Sequence, residues 1–359
     1  MKDQLLDTWQ INNKMNLLMM DNITDAGMQR SLNTRGGRTV YLQLVHVHNV
    51  RMQWLEICAK DIFKKYKALD KEAAFDRKAL RKAFEESAKG IEELLARSWD
   101  EGGKVKGFKK GDRVWCSNQG LLGRQGTFAE YCAVDESWLY PTPASVSDEA
   151  AAASALVGIT AHLGLFREAK LKKGETLFVN GGTGGVGSMV VQMAKAAGAR
   201  VIATAGSAEK CAALKTLGAD AAVNYKSDDI LAAVKAFSPS GVNVYWETTR
   251  EPDFDKIVSY LAERGRLILM AGRDARPPFP VGPFYVKGCS MHGVVMFKAT
   301  AEEMRVCAED INKWLAAAQL KPNISKTFPL SQAAAAHKLQ EENTLQKSGT
   351  LAGKIVLKP

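Results

Sequence analysis

One short stretch restricts this chain more than any other. Leu177-Phe178-Val179-Asn180 is a continuous apolar run. It leads into Gly182-Thr183-Gly184-Gly185-Val186-Gly187, and an apolar, helix-forming segment follows from Ser188. Uninterrupted apolar strands belong to parallel sheets buried on both faces. A G-x-G-x-x-G set between such a strand and a helix brings bare backbone against an anion. Gly182 permits the tight turn, Gly184 lets the backbone approach a diphosphate, and Gly187 lets helix and strand pack closely. The free amides of the first helical turn, around Gly185 and Val186, supply the positive end.

The surroundings repeat the pattern. Val201 to Ala205, Val242 to Trp246 and Leu267 to Met270 read as further strands, with helices at about 186–197, 208–217 and 228–237 between them. A later helix is expected at 301–318 and a closing strand at Lys354 to Leu357. Alternation of this kind predicts an α/β chain with a doubly wound, parallel Rossmann sheet. In such folds an acid at the tip of the second strand takes the ribose hydroxyl of NAD. Here the tip reads Thr204-Ala205-Gly206-Ser207, with no Asp or Glu. A carboxylate there would repel a 2′-phosphate. Ser207 offers a hydrogen bond and Lys210 a positive charge, so NADPH is the expected cofactor.

The rest of the chain differs in character. Apolar positions from Lys2 to Asn22 recur at helical spacing. Arg35 to Arg38 reads as a loop, and Thr39 as the N-cap of a second helix running to about Phe63. Leu42, Val45, Val50, Trp54 and Ile57 are expected to face its core. A third helix is expected from Asp70 to Trp99, with Phe75, Leu80, Phe84, Ile91, Leu94 and Leu95 inward. Short strands are expected at Val114 to Cys116 and at Thr127 to Val134. With 46% hydrophobic residues the chain can bury a core, which excludes wholesale disorder. No apolar run is long enough to suggest a membrane span, and the opening Met-Lys-Asp-Gln is no signal segment. Six scattered cysteines without a C-x-x-C argue against a zinc knuckle or a disulfide framework and suit a cytoplasmic setting. The net charge of +10 is spread along the chain rather than gathered with aromatics, so nucleic acid is not the expected partner.

From about residue 105 the chain resembles the quinone oxidoreductase (zeta-crystallin-like) branch of the medium-chain dehydrogenase/reductases. The matching stretches are Val105 to Lys109, Gly111-Asp112-Arg113-Val114, Gly126 to Tyr131 and Leu156 to Ala161. The glycine motif, Leu217-Gly218-Ala219-Asp220 with Asn224-Tyr225, and Gly349 to Leu357 complete them. The resemblance implies NADPH held at its adenosine phosphate by Ser207, Lys210 and Tyr225. It implies a nicotinamide beside Met270-Ala271-Gly272 and beside Val294 to Phe297. It also implies zinc-independent transfer of a hydride to a quinone or an α,β-unsaturated carbonyl, and it admits a homodimer. The first part of the family's GroES-like barrel is missing. The expected plan is a helical segment over 1–105, a partial GroES-like substrate domain from 106–145 with 323–359, and a Rossmann domain over 146–322. An NADPH binder without turnover, or an RNA-binding relative, are the competing readings.

Residues 1 to about 108 resemble the first three helices of a DinB/YfiT-type bundle, through Asp7-Thr8-Trp9, Asn12-Asn13, Gly36-Gly37-Arg38, His46 to Arg51 and Trp54-Leu55. The family's later histidine pair is absent. His46 and His48 diverge on a helix, so no metal is expected. A fusion of two truncated frames near Gly103 to Lys109 accounts for the join. Cys116 and Cys132 lack a neighbouring base in the sequence. Glu247 faces either the cofactor or a local partner, and Arg124 either a substrate or solvent.

Overall fold

A computed structural model describes residues 2–31, 38–70, 74–100, 108–109, 111–121, 124–346, 348–351 and 353–359, without the side chain of Gln4. Arg35-Gly36-Gly37, the start of the third expected helix at 71–73 and the join at 103–107 lie outside these residues. The chain forms two compact units, Met1–Asp112 and Arg113–Pro359.

The first unit is helical: α1 (Lys2–Asn22), α2 (Asp25–Met28), α3 (Val40–Cys58), α4 (Lys60–Phe63) and α5 (Arg77–Asp100). The Thr39 hydroxyl accepts from the Leu42 amide and caps α3. Two apolar clusters hold the helices together. Met20, Met28, Tyr41, Leu44, Val45, Leu80 and Phe84 form one, and Met52, Leu55, Ala59, Ile62 and Ile91 the other. The expected helix to Phe63 breaks at Ala59, whose φ of −152° and ψ of 70° leave the helical region. The break turns Ile62 into the second cluster. The expected inner face of α3 is also corrected: Val45 is buried, but Trp54 and Ile57 are 53% and 76% exposed. The helix is apolar almost all round, so spacing alone does not select a face. His48 and Arg51 turn inward instead because each finds partners. His48 meets the Ser87 hydroxyl and the Lys67 carbonyl. Arg51 donates to Asn13 and lies 4.8 Å from the Trp9 ring and 4.6 Å from the Phe84 ring.

The second unit runs β1 (Val114–Cys116), β2 (Leu139–Pro141), α6 (Asp148–His162), β3 (Thr176–Asn180), α7 (Gly185–Ala196), β4 (Arg200–Ala205) and α8 (Ala208–Thr216). It continues with β5 (Ala221–Asn224), α9 (Ile230–Phe237), β6 (Val242–Glu247), α10 (Phe254–Tyr260), β7 (Leu261–Leu269), α11 (Val281–Val286) and β8 (Ser290–Gly293). It closes with α12 (Ala301–Ala316), β9 (Ile324–Pro329), α13 (Ala333–Thr344) and β10 (Lys354–Lys358). Six strands form one parallel sheet in the order β5-β4-β3-β6-β7-β8. Alternate residues serve opposite faces. Leu177, Val179, Val244 and Trp246 enter one core, while Phe178, Tyr245 and Leu267 enter the other. The segment Asp148–Glu168 is long and apolar enough to cross a membrane by length and composition, which corrects the reading of the apolar runs as short. It is 72% buried inside the unit, as a core helix is.

The remaining strands form two separate pairs, β1 with β2 and β9 with β10, rather than a continuous barrel. Residues 127–134 form no strand. Without a neighbour to pair with, their alternating side chains have no sheet face to cover, and Phe128 and Tyr131 stay 65% and 67% exposed.

Candidate cofactor and acceptor site

Because all six sheet strands are parallel, their carboxyl ends lie along one edge. The chain leaves β3 for β4 and β5 on one side, then returns to β6, β7 and β8 on the other. The crevice between β3 and β6 is therefore the switch point where such sheets bind ligands. The loops after β3, β4, β5, β6 and β7, and that after β8, carry the expected site residues to this edge.

The glycine turn is built by close packing. The positive φ falls on Gly181, at +78°, not on Gly182 as its assigned role in the turn requires. Gly182 is needed for room: a methyl group there would lie 2.8 Å from Leu214 and 2.9 Å from Ala203. A methyl on Gly187 would run into the Gly181 carbonyl oxygen and lie 3.0 Å from the Gly182 Cα, so α7 touches the turn backbone to backbone. Gly184 is the opposite case. It is exposed and caps α7, and a methyl there meets only the Gly181 oxygen at 3.5 Å. The amides that follow have no intrahelical acceptor and face that open side. Gly185 packs differently: a methyl there would lie 3.2 Å from the Lys354 Cδ and 3.3 Å from Val157.

A buried network fixes this turn. The Thr204 hydroxyl accepts from the Gly181 amide and donates to the Asn180 Oδ1, each at 2.9 Å. The Asn180 amide group donates to the Glu247 carboxylate at 2.9 and 3.1 Å, and the Thr249 amide donates to it at 2.7 Å. Burial raises the Glu247 pKa, and these hydrogen bonds oppose the rise. Glu247 thus has local partners in Asn180 and Thr249. It still lines a cleft of about 840 Å³ with Asn180, Tyr225, Thr248 and Arg250.

Ser207 caps α8, its hydroxyl accepting from the Lys210 amide at 3.3 Å, and the same hydroxyl helps hold the Glu209 carboxyl below its usual value. Lys210 is half-buried in the same turn. The Tyr225 hydroxyl lies 2.5 Å from where a Gly206 Cβ would be, so the missing side chain at 206 makes room for the tyrosine. Met270 and Phe297 pack on one core cluster, and Ala271 is exposed between Met270 and Gly272. Gly272 has φ +83°, and a methyl there would lie 2.5 Å from the Arg250 carbonyl oxygen. The Phe297 carbonyl accepts from the Asn118 side chain at 3.2 Å, which ties this loop to the segment after β1.

That segment borders a second cavity, of about 400 Å³. It is lined by residues 116–119, 127–129 and 354–357, with Ala152, Ala155 and Leu156 of α6. Burial pushes the Cys116 thiol up to about 11, so it is no thiolate nucleophile. Arg124 donates to the Asn118 carbonyl and lies 4.5 Å from the Trp138 ring, so it is structural rather than solvated. Lys354 also lines this cavity, with its stem beside Gly185.

A sequence profile described as zinc-binding dehydrogenase matches residues 185–312. The quinone oxidoreductase of Pongo abelii is 31% identical over 257 residues, spanning 71% of this chain and 75% of that protein. The quinone oxidoreductase of Mus musculus is 31% identical over 261 residues, with the same shares covered. Among solved structures, Escherichia coli quinone oxidoreductase complexed with NADPH superposes with a TM-score of 0.60 at 25% identity, covering 71% of this chain and 77% of that one. An NAD-dependent alcohol dehydrogenase superposes with a TM-score of 0.62 at 29% identity, covering 71% and 78%. Through its C-terminal 71%, this chain belongs to the quinone oxidoreductase family of the medium-chain dehydrogenase/reductases, a family of oxidoreductases.

Proposed function

We propose that the protein is an NADPH-dependent, zinc-independent oxidoreductase that passes a hydride to a small quinone or an α,β-unsaturated carbonyl. The observation that carries this reading is Gly184: an exposed glycine at which a methyl would meet one atom, at ordinary contact distance, at the head of a helix and at the switch point of a parallel sheet. The residues fit a dinucleotide, because a side chain at Gly184 would fill the cradle. When bound, the nicotinamide supplies the hydride. The chain's part is to hold and orient. The amides at Gly185, Val186 and Gly187 take the diphosphate. Lys210 and Tyr225 take the adenosine phosphate, with Ser207 chiefly fixing the α8 turn that presents Lys210. Met270, Ala271, Gly272 and Phe297 flank the nicotinamide, and the cavity of about 400 Å³ admits the acceptor. Among the described residues no group of three or more His, Cys, Asp or Glu side chains is placed to hold a metal ion.

We read the N-terminal unit as a three-helix fragment of DinB/YfiT type joined to the reductase. His46 is exposed and His48 points inward to Ser87, so the two share no ion. All six cysteines are free, in keeping with a cytoplasmic protein whose partners are cofactor and small acceptor, with homodimerisation open to it. The test is steady-state oxidation of NADPH and NADH with a small benzoquinone, with and without a zinc chelator. Chelator-insensitive turnover that prefers NADPH is expected. Saturable NADPH binding without turnover would reduce the protein to a binder, and turnover that favours NADH would refute the cofactor assignment.

A further inference from the structure

The helical unit is built from helices of two kinds. α5 has a wet face: from Arg77 to Gly90 its exposed residues are Lys78, Lys82, Glu85 and Lys89. All four are charged, the ordinary pattern of a helix with one side in solvent. α1 and α3 lack such a face. α1 turns Trp9, Asn13, Leu17 and Met20 into the unit. On its opposite side Ile11, Met15 and Leu18, at helical spacing, are 57%, 65% and 63% exposed. From Thr8 to Met20 its one charged residue is Lys14. α3 follows the same plan. It buries Val45, His48, Met52 and Leu55 and exposes Val47, Trp54 and Ile57. Its charged residues are Arg51, which is buried, and Glu56.

A helix that is apolar on both sides is patterned for burial on both. In the single chain one side of each is covered. Both helices pack on α5: the Trp9 indole donates to the Ala88 carbonyl, and His48 meets the Ser87 hydroxyl. Arg51 reaches from α3 to Asn13 and the Trp9 ring, so α1 and α3 lie side by side. The faces they turn away from α5 form one surface, with Met15, Met19, Val47 and Trp54 on it. An apolar surface that runs across two helices marks an interaction site.

We propose that two copies of the chain pair through this surface, α1 and α3 of one copy against α1 and α3 of the other. Three features select a second copy as the occupant. The first is area. α1 has 21 residues and α3 has 19, so each is about 30 Å long. Side by side, at about 10 Å of width each, they present about 600 Å² in projection, and side-chain relief adds to it; a stable dimer needs about 800 Å² per partner. The second is charge. The chain carries +10, so two copies repel over most of their surface, and a face with so few charges is where they meet at least cost. An acidic peptide finds no row of cations here to pair with. The third is fit. Two-fold pairing sets a surface against itself, and the unbranched Met15 and Met19 adapt to the contour of a partner's Trp54.

Light scattering on the full chain during gel filtration reads the mass. Wild type at micromolar concentration should run at twice the chain mass. Met15→Lys with Ile57→Lys places lysines in the buried interface and should raise the dissociation constant about a hundredfold or more, leaving half the wild-type mass. Both positions are mostly exposed in the single copy, so far-ultraviolet circular dichroism should keep the wild-type helix signal. If that variant loses helicity, Ile11→Gln with Leu18→Gln puts the same question without charge and should weaken the dimer about tenfold or more. Tyr285→Lys with Val286→Lys, on the exposed α11 of the second unit, should stay dimeric. A monomeric wild type overturns the proposal. So does a dimer that survives the folded α1 and α3 variants, or one that is lost in the α11 variant instead.

Discussion

Gly184 and Gly187 sit three residues apart in one turn, yet a side chain at each meets opposite surroundings. At Gly187 a methyl group would overlap the Gly181 oxygen and approach the Gly181 carbonyl carbon at 3.1 Å and the Gly182 Cα at 3.0 Å. Those atoms are backbone, and they are pinned. The Gly181 amide donates to the Thr204 hydroxyl and the Gly182 amide to the Thr204 carbonyl, each at 2.9 Å. They cannot swing aside as the end of a side chain can. Gly187→Ala should therefore cost about 1–3 kcal/mol of overpacking, and a unit of this size loses about 2–4 °C in Tm per kcal/mol. At Gly184 the nearest atom is at ordinary contact distance, and the backbone φ of −69° suits any residue. Gly184→Val should melt close to wild type, but its side chain stands where phosphate oxygens must approach the amides. Thermal unfolding by circular dichroism, paired with NADPH titration, reads both effects. Saturable NADPH binding by Gly184→Val at wild-type affinity, or an unchanged Tm in Gly187→Ala, would refute the account of the turn.

Lys210→Ala should weaken NADPH by about 1–3 kcal/mol and leave NADH nearly unaffected; equal losses for both by calorimetry would remove Lys210 from the phosphate site. His48 and His162 are held below the ordinary histidine value of 6.5, chiefly by burial, so both stay neutral in the fold and take up protons on unfolding. Stability should be full above about pH 6.5 and fall as pH drops below it, and urea melts of wild type and a His48→Asn, His162→Asn variant should show the slope flattened in the variant. A methyl on Gly164 would run into the fully buried Trp246 ring. Gly164→Ala should cost about 1–3 kcal/mol, and Trp246→Phe in the same chain should recover part of it.

The central sheet is legible because its strands are apolar on both faces and the glycine turn announces the strand–helix junction. Its edges are not. β5 is Ala221–Asn224 and β8 is Ser290–Gly293, and both are short and small or polar, with no apolar run to betray them. The helix boundaries around the sheet follow from capping chemistry, as Ser207, Asp229 and Thr300 each cap the helix that follows. The inner face of α3 is hidden because apolar side chains surround the helix, and only tertiary partners draw His48 and Arg51 inward. Gly184, Ser207 and Lys210 stand out locally. Glu247 does not, because its role depends on Asn180, 67 residues away on a neighbouring strand.

The elements proposed to hold the cofactor are all described, from the turn after β3 to the loop after β8, whereas the proposed acceptor side is sparse among the described residues. It consists of two separate strand pairs and the irregular segment between β1 and β2. Around the cavity proposed for the acceptor, Phe128 and Leu156 remain 65% and 51% exposed, so apolar surface is present but open to solvent. Hydride transfer depends on holding donor and acceptor in line, and a misplacement of about 1 Å can cost about a hundredfold. Open walls bind a flat quinone loosely and in several orientations, which lowers kcat more than they raise KM, because the productive pose is a fraction of those bound. The expected outcome is measurable NADPH oxidation with a small benzoquinone at a kcat well below that of a family member with a full barrel. The NADPH affinity should be similar in the two, since the cofactor side is intact. Equal kcat would show that the two strand pairs and α6 suffice to orient the acceptor.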